Sequence, residues 1–390
     1  MTKRRLISFF LIFRMIDILI IVFAQNIVPY LGFFPYKEIQ GQYQLPSFFS
    51  ALSNFDGVHY LLIAREGYNQ YQQAFFPMYP ILIKYVSVLF WGNHLLTGIL
   101  LSNGFFLGAI LMLNGYLKTI KYETLNTKHI TWTILLLIIF PTSFFFGAVY
   151  TESLFLFLFI SSLYFLKKER YFYAALFAYL ASLTRFIGVF LFIPIFVSHL
   201  LLFKSKKAPP ISHLLSFISP FLGLITYSLY LWKTTGDPLF FLNSQWAFGA
   251  HRSSNIILLP QVLFRYFKIF FTAAWNFQYW ISVFEFFTFC FFFVILIYDL
   301  FSNLKFIDHW KLKIENYDRF ALNIFSFANL LLPTLTGTFS SIPRYSLLSL
   351  SFFLALGRIG NENIKKAVAF IFMVIHIITL GFFTQGYFVS

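Results

Sequence analysis

Apolar runs of about 17 to 25 residues, each about long enough to carry a helix across ~30 Å of hydrocarbon, recur along the whole chain. Backbone groups in lipid must be satisfied within the segment that carries them, so these runs specify α-helices. Composition points the same way. With 59% of residues hydrophobic, 23% aromatic and 11% charged, too little polar surface remains to cover a water-soluble body. The expected fold is an all-α integral membrane protein in which residues 1–390 form a single polytopic domain.

The formal net charge is +15, a value that raises the question of nucleic acid. The cations, however, fall in short clusters between apolar runs and not along one polar face, so they read as topology signals and nucleic acid is set aside as a partner. Lys3 to Arg5, Lys118 to Lys128, Lys167 to Arg170, Lys204 to Lys207, Lys305 to Arg319 and Arg358 to Lys366 are assigned to the cytoplasmic side. Eleven crossings thread these clusters consistently, near 6–28, 95–116, 131–147, 150–166, 171–184, 187–203, 213–232, 280–301, 319–335, 345–357 and 367–386. Residues 29–76 then form a long first extracytoplasmic loop. Pro77–Trp91 and Leu259–Thr272 are too short or too polar to cross and are expected to be interfacial or re-entrant helices. Arg14 and Asp17 interrupt the first run at i,i+3 spacing, which predicts an intrahelical pair in an uncleaved helix. Cys290, the single cysteine, provides no disulfide framework and reads as a packing residue.

On this threading several polar groups from distant parts of the chain share the extracytoplasmic face: Asp56, the vertex at Glu152, the vertex at Arg185, the loop carrying Gln245, Trp246, His251 and Arg252, and Arg344. Carboxylates, cations and aromatics gathered on one side describe a site. Asp56 and His59 lie at i and i+3 of a helix expected to start near Asp56, so both address one space, with helix capping as the plain alternative for Asp56. A carboxylate there can take the proton of an attacking alcohol. Guanidinium groups stay charged near lipid and donate two hydrogen bonds at once, which suits an anion such as a phosphate; Arg185, Arg344 and Arg252 are the candidates. Glu152 either stabilises a helix start or contacts the sugar or Arg185. Trp246 either stacks on a sugar or anchors the interface. His59 and His251 lack the spacing of a metal pair, and no metal or other cofactor is expected.

Phe55 to Tyr68 (FDGVHYLLIAREGY), Gln72 to Leu82 (QQAFFPMYPIL), Phe140 to Phe155 (FPTSFFFGAVYTESLF), Ser182 to Phe190 (SLTRFIGVF) and, less specifically, Gly236 to Phe248 (GDPLFFLNSQWAF) and Pro343-Arg-Tyr345 resemble the GPI mannosyltransferase II (PIG-V-like) family of polytopic GT-C glycosyltransferases. That resemblance implies a polyprenyl-phosphate-mannose donor used from the extracytoplasmic or lumenal side, a glycolipid or lipid-linked glycan acceptor, no nucleotide-sugar domain, and Asp56 as general base. The usual Trp before that Asp is Phe55 here, and Phe186-Ile187 replace the small polar pair that follows Thr184-Arg185 in eukaryotic members. The economical loops suit a prokaryotic member in the plasma membrane; a eukaryotic one would reside in the endoplasmic reticulum. A lipid-linked sugar flippase or transporter, and a membrane assembly subunit without chemistry, are the alternatives from other functional classes.

Overall fold

The computed structural model describes residues 2–31, 37–120, 126–204, 211–248, 253, 255–308, 311–314 and 316–389. Its helices, in chain order, are α1 (Lys3–Ile27), α2 (Lys37–Gly41), α3 (Ser47–Ser50), α4 (Asp56–Glu66), α5 (Met78–Val86), α6 (His94–Thr119), α7 (Thr127–Ile138), α8 (Glu152–Lys167) and α9 (Tyr171–Ser182). They continue with α10 (Phe192–Lys204), α11 (Ile211–Thr235), α12 (Phe240–Asn243), α13 (Leu259–Thr272), α14 (Phe277–Ser302), α15 (Tyr317–Leu331), α16 (Ile342–Tyr345), α17 (Leu350–Gly357) and α18 (Glu362–Thr384). A short antiparallel hairpin, β1 (Leu304–Asp308) with β2 (Lys311–Ile314), is the departure from an all-helical chain. It falls in a basic connection that had been read only as loop.

Among the described residues, five helices are long and apolar enough to cross a membrane: α1, α6, α11 from His213, α14 and α18. The other expected spans fall on shorter helices, several extended by 3-10 turns, as at Phe186–Leu191 before α10 and Leu332–Thr336 after α15. α17 is the shortest of these, and with its preceding turn at Ser346–Leu348 it is well under the ~20 residues of a full span.

Helix packing follows side-chain size. Ala174, Ala178 and Ala181 form a buried small-residue row on α9, and α11 approaches it so closely that a Cβ on Gly223 would lie 2.0 Å from Ser182 Oγ. Close backbone approach of this kind is how helices gain contact in lipid, where apolar burial supplies little drive. The irregular stretch from Phe140 to Thr151 is buried throughout, so its non-helical backbone is covered by protein.

Members of four of the basic clusters gather at one end of the bundle. Lys167, at the end of α8, pairs with Asp318 at 2.5 Å; Glu362 accepts from Lys128 at 3.1 Å and from Lys365 at 2.6 Å. At that same end Asp299 is 1% exposed and fully engaged: Arg319 Nε donates at 2.8 Å, Asn323 at 3.0 Å and Ser351 Oγ at 2.6 Å. Midway along α1, Arg14 and Asp17 pair at 2.6 Å as their spacing predicts. Asp17 also meets His376 Nε2 of α18 at 2.8 Å, a partner that no local pattern announces.

Candidate active site

The opposite end of α8 begins with Glu152, and the residues ahead of it are tied down one by one. Thr142 Oγ1 donates to the Pro343 carbonyl at 2.6 Å, the Val149 amide to Leu52 O at 2.9 Å, and the Tyr150 hydroxyl to Asn54 O at 2.8 Å. Asn54 in turn donates to Phe383 O of α18 at 2.9 Å. Three chain segments that each carry a candidate residue, those around Asp56, Glu152 and Arg344, are thereby locked together.

Two of these segments enter through strained corners. Phe55 has φ 57° and ψ −119°, and Ser341, just ahead of α16, has φ 67°. Left-handed backbone at a non-glycine residue costs about 1–3 kcal/mol and persists where surroundings impose it. The corner at Phe55 makes Asp56 the first residue of α4, while Phe55 takes the N-cap position without a side-chain cap. Asp56 thus takes the first helical position and not the N-cap, where its charge favours a helix start. Gly57 allows the next turn to approach: a Cβ there would meet Val149 O at 3.3 Å.

Four of the residues singled out in the sequence meet. Arg344 Nη1 donates to Asp56 Oδ2 at 2.6 Å across 288 residues of chain, and its Nε lies 3.5 Å from Glu152 Oε1. Arg185 binds the same Glu152 oxygen and donates to Thr151 Oγ1 at 3.1 Å. The Tyr345 ring lies 5.1 Å from both guanidinium carbons, within cation–π range of each. The site is thus a row, Asp56, Arg344, Glu152, Arg185, with Tyr345 bridging the two cations. Tyr345 and Thr151 had not been given roles, though each neighbours a residue that had. Exposure separates the carboxylates: the Asp56 side chain is 25% exposed and that of Glu152 1%. An incoming hydroxyl has access to the first and not the second.

The remaining candidates sit further out. His59 stacks on Phe75 at 5.1 Å, meets the Phe248 edge at 5.0 Å and lies 3.3 Å from Gln72 Nε2. Burial lowers its pKa, outweighing the nearby Asp56 charge that raises it. Trp246 packs edge-on against Tyr71 at 5.2 Å and is 56% exposed, and Gln245 donates to Phe241 O at 3.2 Å. That turn reaches α4 through Phe248, which the sequence reading passed over. Arg252 and His251 lie outside the described residues. Among the described residues no three His, Cys, Asp or Glu side chains gather in a way that would hold a metal ion.

A buried arginine, Arg344, and a part-buried one, Arg185, beside a part-exposed carboxylate are suited to binding an anion next to a proton acceptor. The family model described as Mannosyltransferase (PIG-V) matches residues 3–190, the part of the chain that supplies Asp56, Glu152 and Arg185. These residues, just under half of the chain, resemble the PIG-V mannosyltransferase family. The chain is a membrane glycosyltransferase. No curated protein matches the chain.

Proposed function

We propose that this mannosyltransferase moves mannose from polyprenyl-phosphate-mannose to a glycolipid or lipid-linked glycan, at the face opposite its basic connections and with Asp56 as general base. The observation that carries the reading is the single ion-paired row that joins Asp56, Glu152, Arg185 and Arg344. In the reaction the acceptor oxygen bonds to the sugar C1 as the C1–O bond to phosphate breaks. The phosphate leaves with the electron pair, and Asp56 takes the acceptor proton. Arg185 and Arg344 supply fixed positive charge where the leaving phosphate becomes more negative. As Arg344 turns toward phosphate it releases the Asp56 oxygen it now occupies, so donor binding readies the base. Glu152 stays behind as the counter-charge that holds both guanidiniums in place. With Glu152 buried, Asp56 is the carboxylate within reach of an acceptor, which favours direct displacement, hence inversion of a β-linked donor to an α-mannoside.

The chain is further read as making eleven passages, with α5 and α13 interfacial. The gathering of Lys128, Lys167 and Lys365 at one end supports this arrangement. Surface labels at Asn69 and Ser253 should react from outside, and labels at Ser205 and Ile314 only after the membrane is opened. No cofactor is assigned a part. Purified protein given polyprenyl-phosphate-mannose and membrane glycolipids should form an α-mannoside, and nucleotide-mannose should not replace the donor. Transfer from the nucleotide sugar alone would overturn the donor assignment, and lipid movement without a new glycosidic bond would make the protein a flippase.

A further inference from the structure

Where α8 stops, at the end opposite Glu152, Glu169 takes a left-handed conformation (φ 56°) and turns the chain back on the helix. The Arg170 amide donates to Phe165 O at 2.9 Å and the Glu169 amide to Leu166 O at 3.1 Å, bonds that satisfy the last carbonyls of α8 from the backbone alone. The Lys168 and Arg170 side chains are therefore not needed as caps. They flank a pocket of about 350 Å³ lined by Tyr164, Phe165, Lys168 and Arg170, far more than the ~10–15 Å³ that a single water requires.

The charges at this pocket differ from those around it. At the same end of the bundle Lys167 pairs with Asp318, Lys128 and Lys365 with Glu362, and Arg319 with Asp299. Among the described residues Lys168 and Arg170 form no ion pair, and both are exposed; Lys168 Nζ instead lies 5.9 Å from the centre of the Tyr164 ring. Two unneutralised cations, one a point charge and one a planar fork, suit the oxygens of a phosphate supplied from outside the chain. The wall beside them is aromatic: Phe165 lies parallel to Phe177 at 5.5 Å and against Tyr173 at 5.3 Å. Tyr173 is itself exposed, as are Phe172 and Leu176, and these three fall within about 100° of one another around α9. An apolar strip thus runs from the cations into the bundle's flank. A soluble anion would use the cations alone, whereas a phospholipid uses both halves, and basic pockets between helices at the cytoplasmic boundary are where anionic headgroups are held.

We propose that the Tyr164–Lys168–Arg170 pocket binds the phosphate of an anionic membrane lipid, with its acyl chains on Phe172, Tyr173 and Leu176. Such a lipid bridges the last turn of α8, the helix that carries Glu152 at its other end, and the first turns of α9. In the test, full-length protein in a neutral detergent is titrated with dioctanoyl-phosphatidylglycerol, with dioctanoyl-phosphatidylcholine as the zwitterionic lipid and inorganic phosphate as the free anion, and binding is read by native mass spectrometry and by melting temperature. Phosphatidylglycerol should bind and raise the melting temperature. Lys168→Gln and Arg170→Gln should each weaken that binding about fivefold, equivalent to the ~1 kcal/mol that one cation is worth near an anionic membrane surface, and melting without lipid should stay as in the wild type because neither side chain holds an ion pair. Lys366→Gln, which removes an exposed cation beside Lys365 and outside the pocket, should leave the affinity unchanged. Equal weakening by Lys366→Gln, or equal affinity for phosphatidylcholine, would reduce the effect to diffuse attraction at the membrane surface. Stabilisation by inorganic phosphate as strong as by the lipid would make the ligand a soluble anion, and affinity indifferent to both pocket variants would remove the site.

Discussion

Asp56 and Asp299 are both carboxylates bound to arginine inside the bundle, yet their surroundings differ in one respect that separates chemistry from architecture. Asp299 is 1% exposed and accepts from Arg319, Asn323 and Ser351; its hydrogen bonds tie α14 to two further helices, α15 and α17. Asp56 has Arg344 on one oxygen and a quarter of its side chain open. A saturated buried carboxylate fixes helices to each other. One that is partly exposed, next to a strained corner and near a second arginine, is accessible to a substrate.

The sharpest way to break this contrast is to remove each carboxylate in turn. Asp299→Ala leaves Arg319 buried without its charge partner, which costs about 3–5 kcal/mol; membrane yield and detergent melting temperature should fall together, with any surviving protein retaining its turnover per folded molecule. Asp56→Asn keeps shape and should leave yield and melting nearly unchanged while mannose transfer drops roughly 100-fold or more. Substantial transfer by this variant, or loss only in Glu152→Gln, would shift the base to the buried carboxylate and dissolve the distinction. Arg185→Ala deletes a charged hydrogen bond worth ~1.5–3 kcal/mol, and the expected readout is a donor KM higher by about ten- to hundredfold, with Arg185→Lys falling between it and wild type. The smallest effect concerns His59. Its folded pKa lies below that of the unfolded chain, so the unfolded state binds more protons in acid and stability should decline as pH falls through about 6.5. His59→Gln should flatten that part of the melting profile, and an unaltered slope would assign the acid sensitivity elsewhere.

Much of the site was legible because its parts are rare in this composition. In a chain with 14 acidic residues, Asp56 and Glu152 stand out, and the side assignment from basic clusters was enough to group them with Arg185 and Arg344. The partners of each were not legible. Arg344 finds Asp56 over 288 residues, and nothing in helical periodicity ranks Arg344 above any other interfacial cation. Tyr345 was seen only as part of the Pro343-Arg-Tyr345 motif and its role was not legible: aromatic residues are so abundant here that one placed between two guanidiniums carries no compositional signal. Long helices such as α6 and α14 follow directly from their apolar runs. The irregular Phe140–Thr151 segment was instead assigned largely to two crossings, because its residues are as apolar as a helix and only tertiary hydrogen bonds, such as Thr142 to Pro343 O, give its backbone another place to go.

The Arg14–Asp17–His376 cluster has a consequence for biosynthesis. Synthesis places α1 in the membrane long before α18 exists, so for most of that time Asp17 lacks the His376 contact it has in the finished fold. A lone Arg or Asp at the centre of a nascent span is penalised by about 2.5–3.5 kcal/mol on insertion. The Arg14–Asp17 pair, formed within one helical turn, lets the first helix carry its own counterion while it waits. Separating the two residues by a turn should therefore impair insertion of the isolated α1 segment, whereas removing His376 should leave that early step untouched and surface only when the last helix docks.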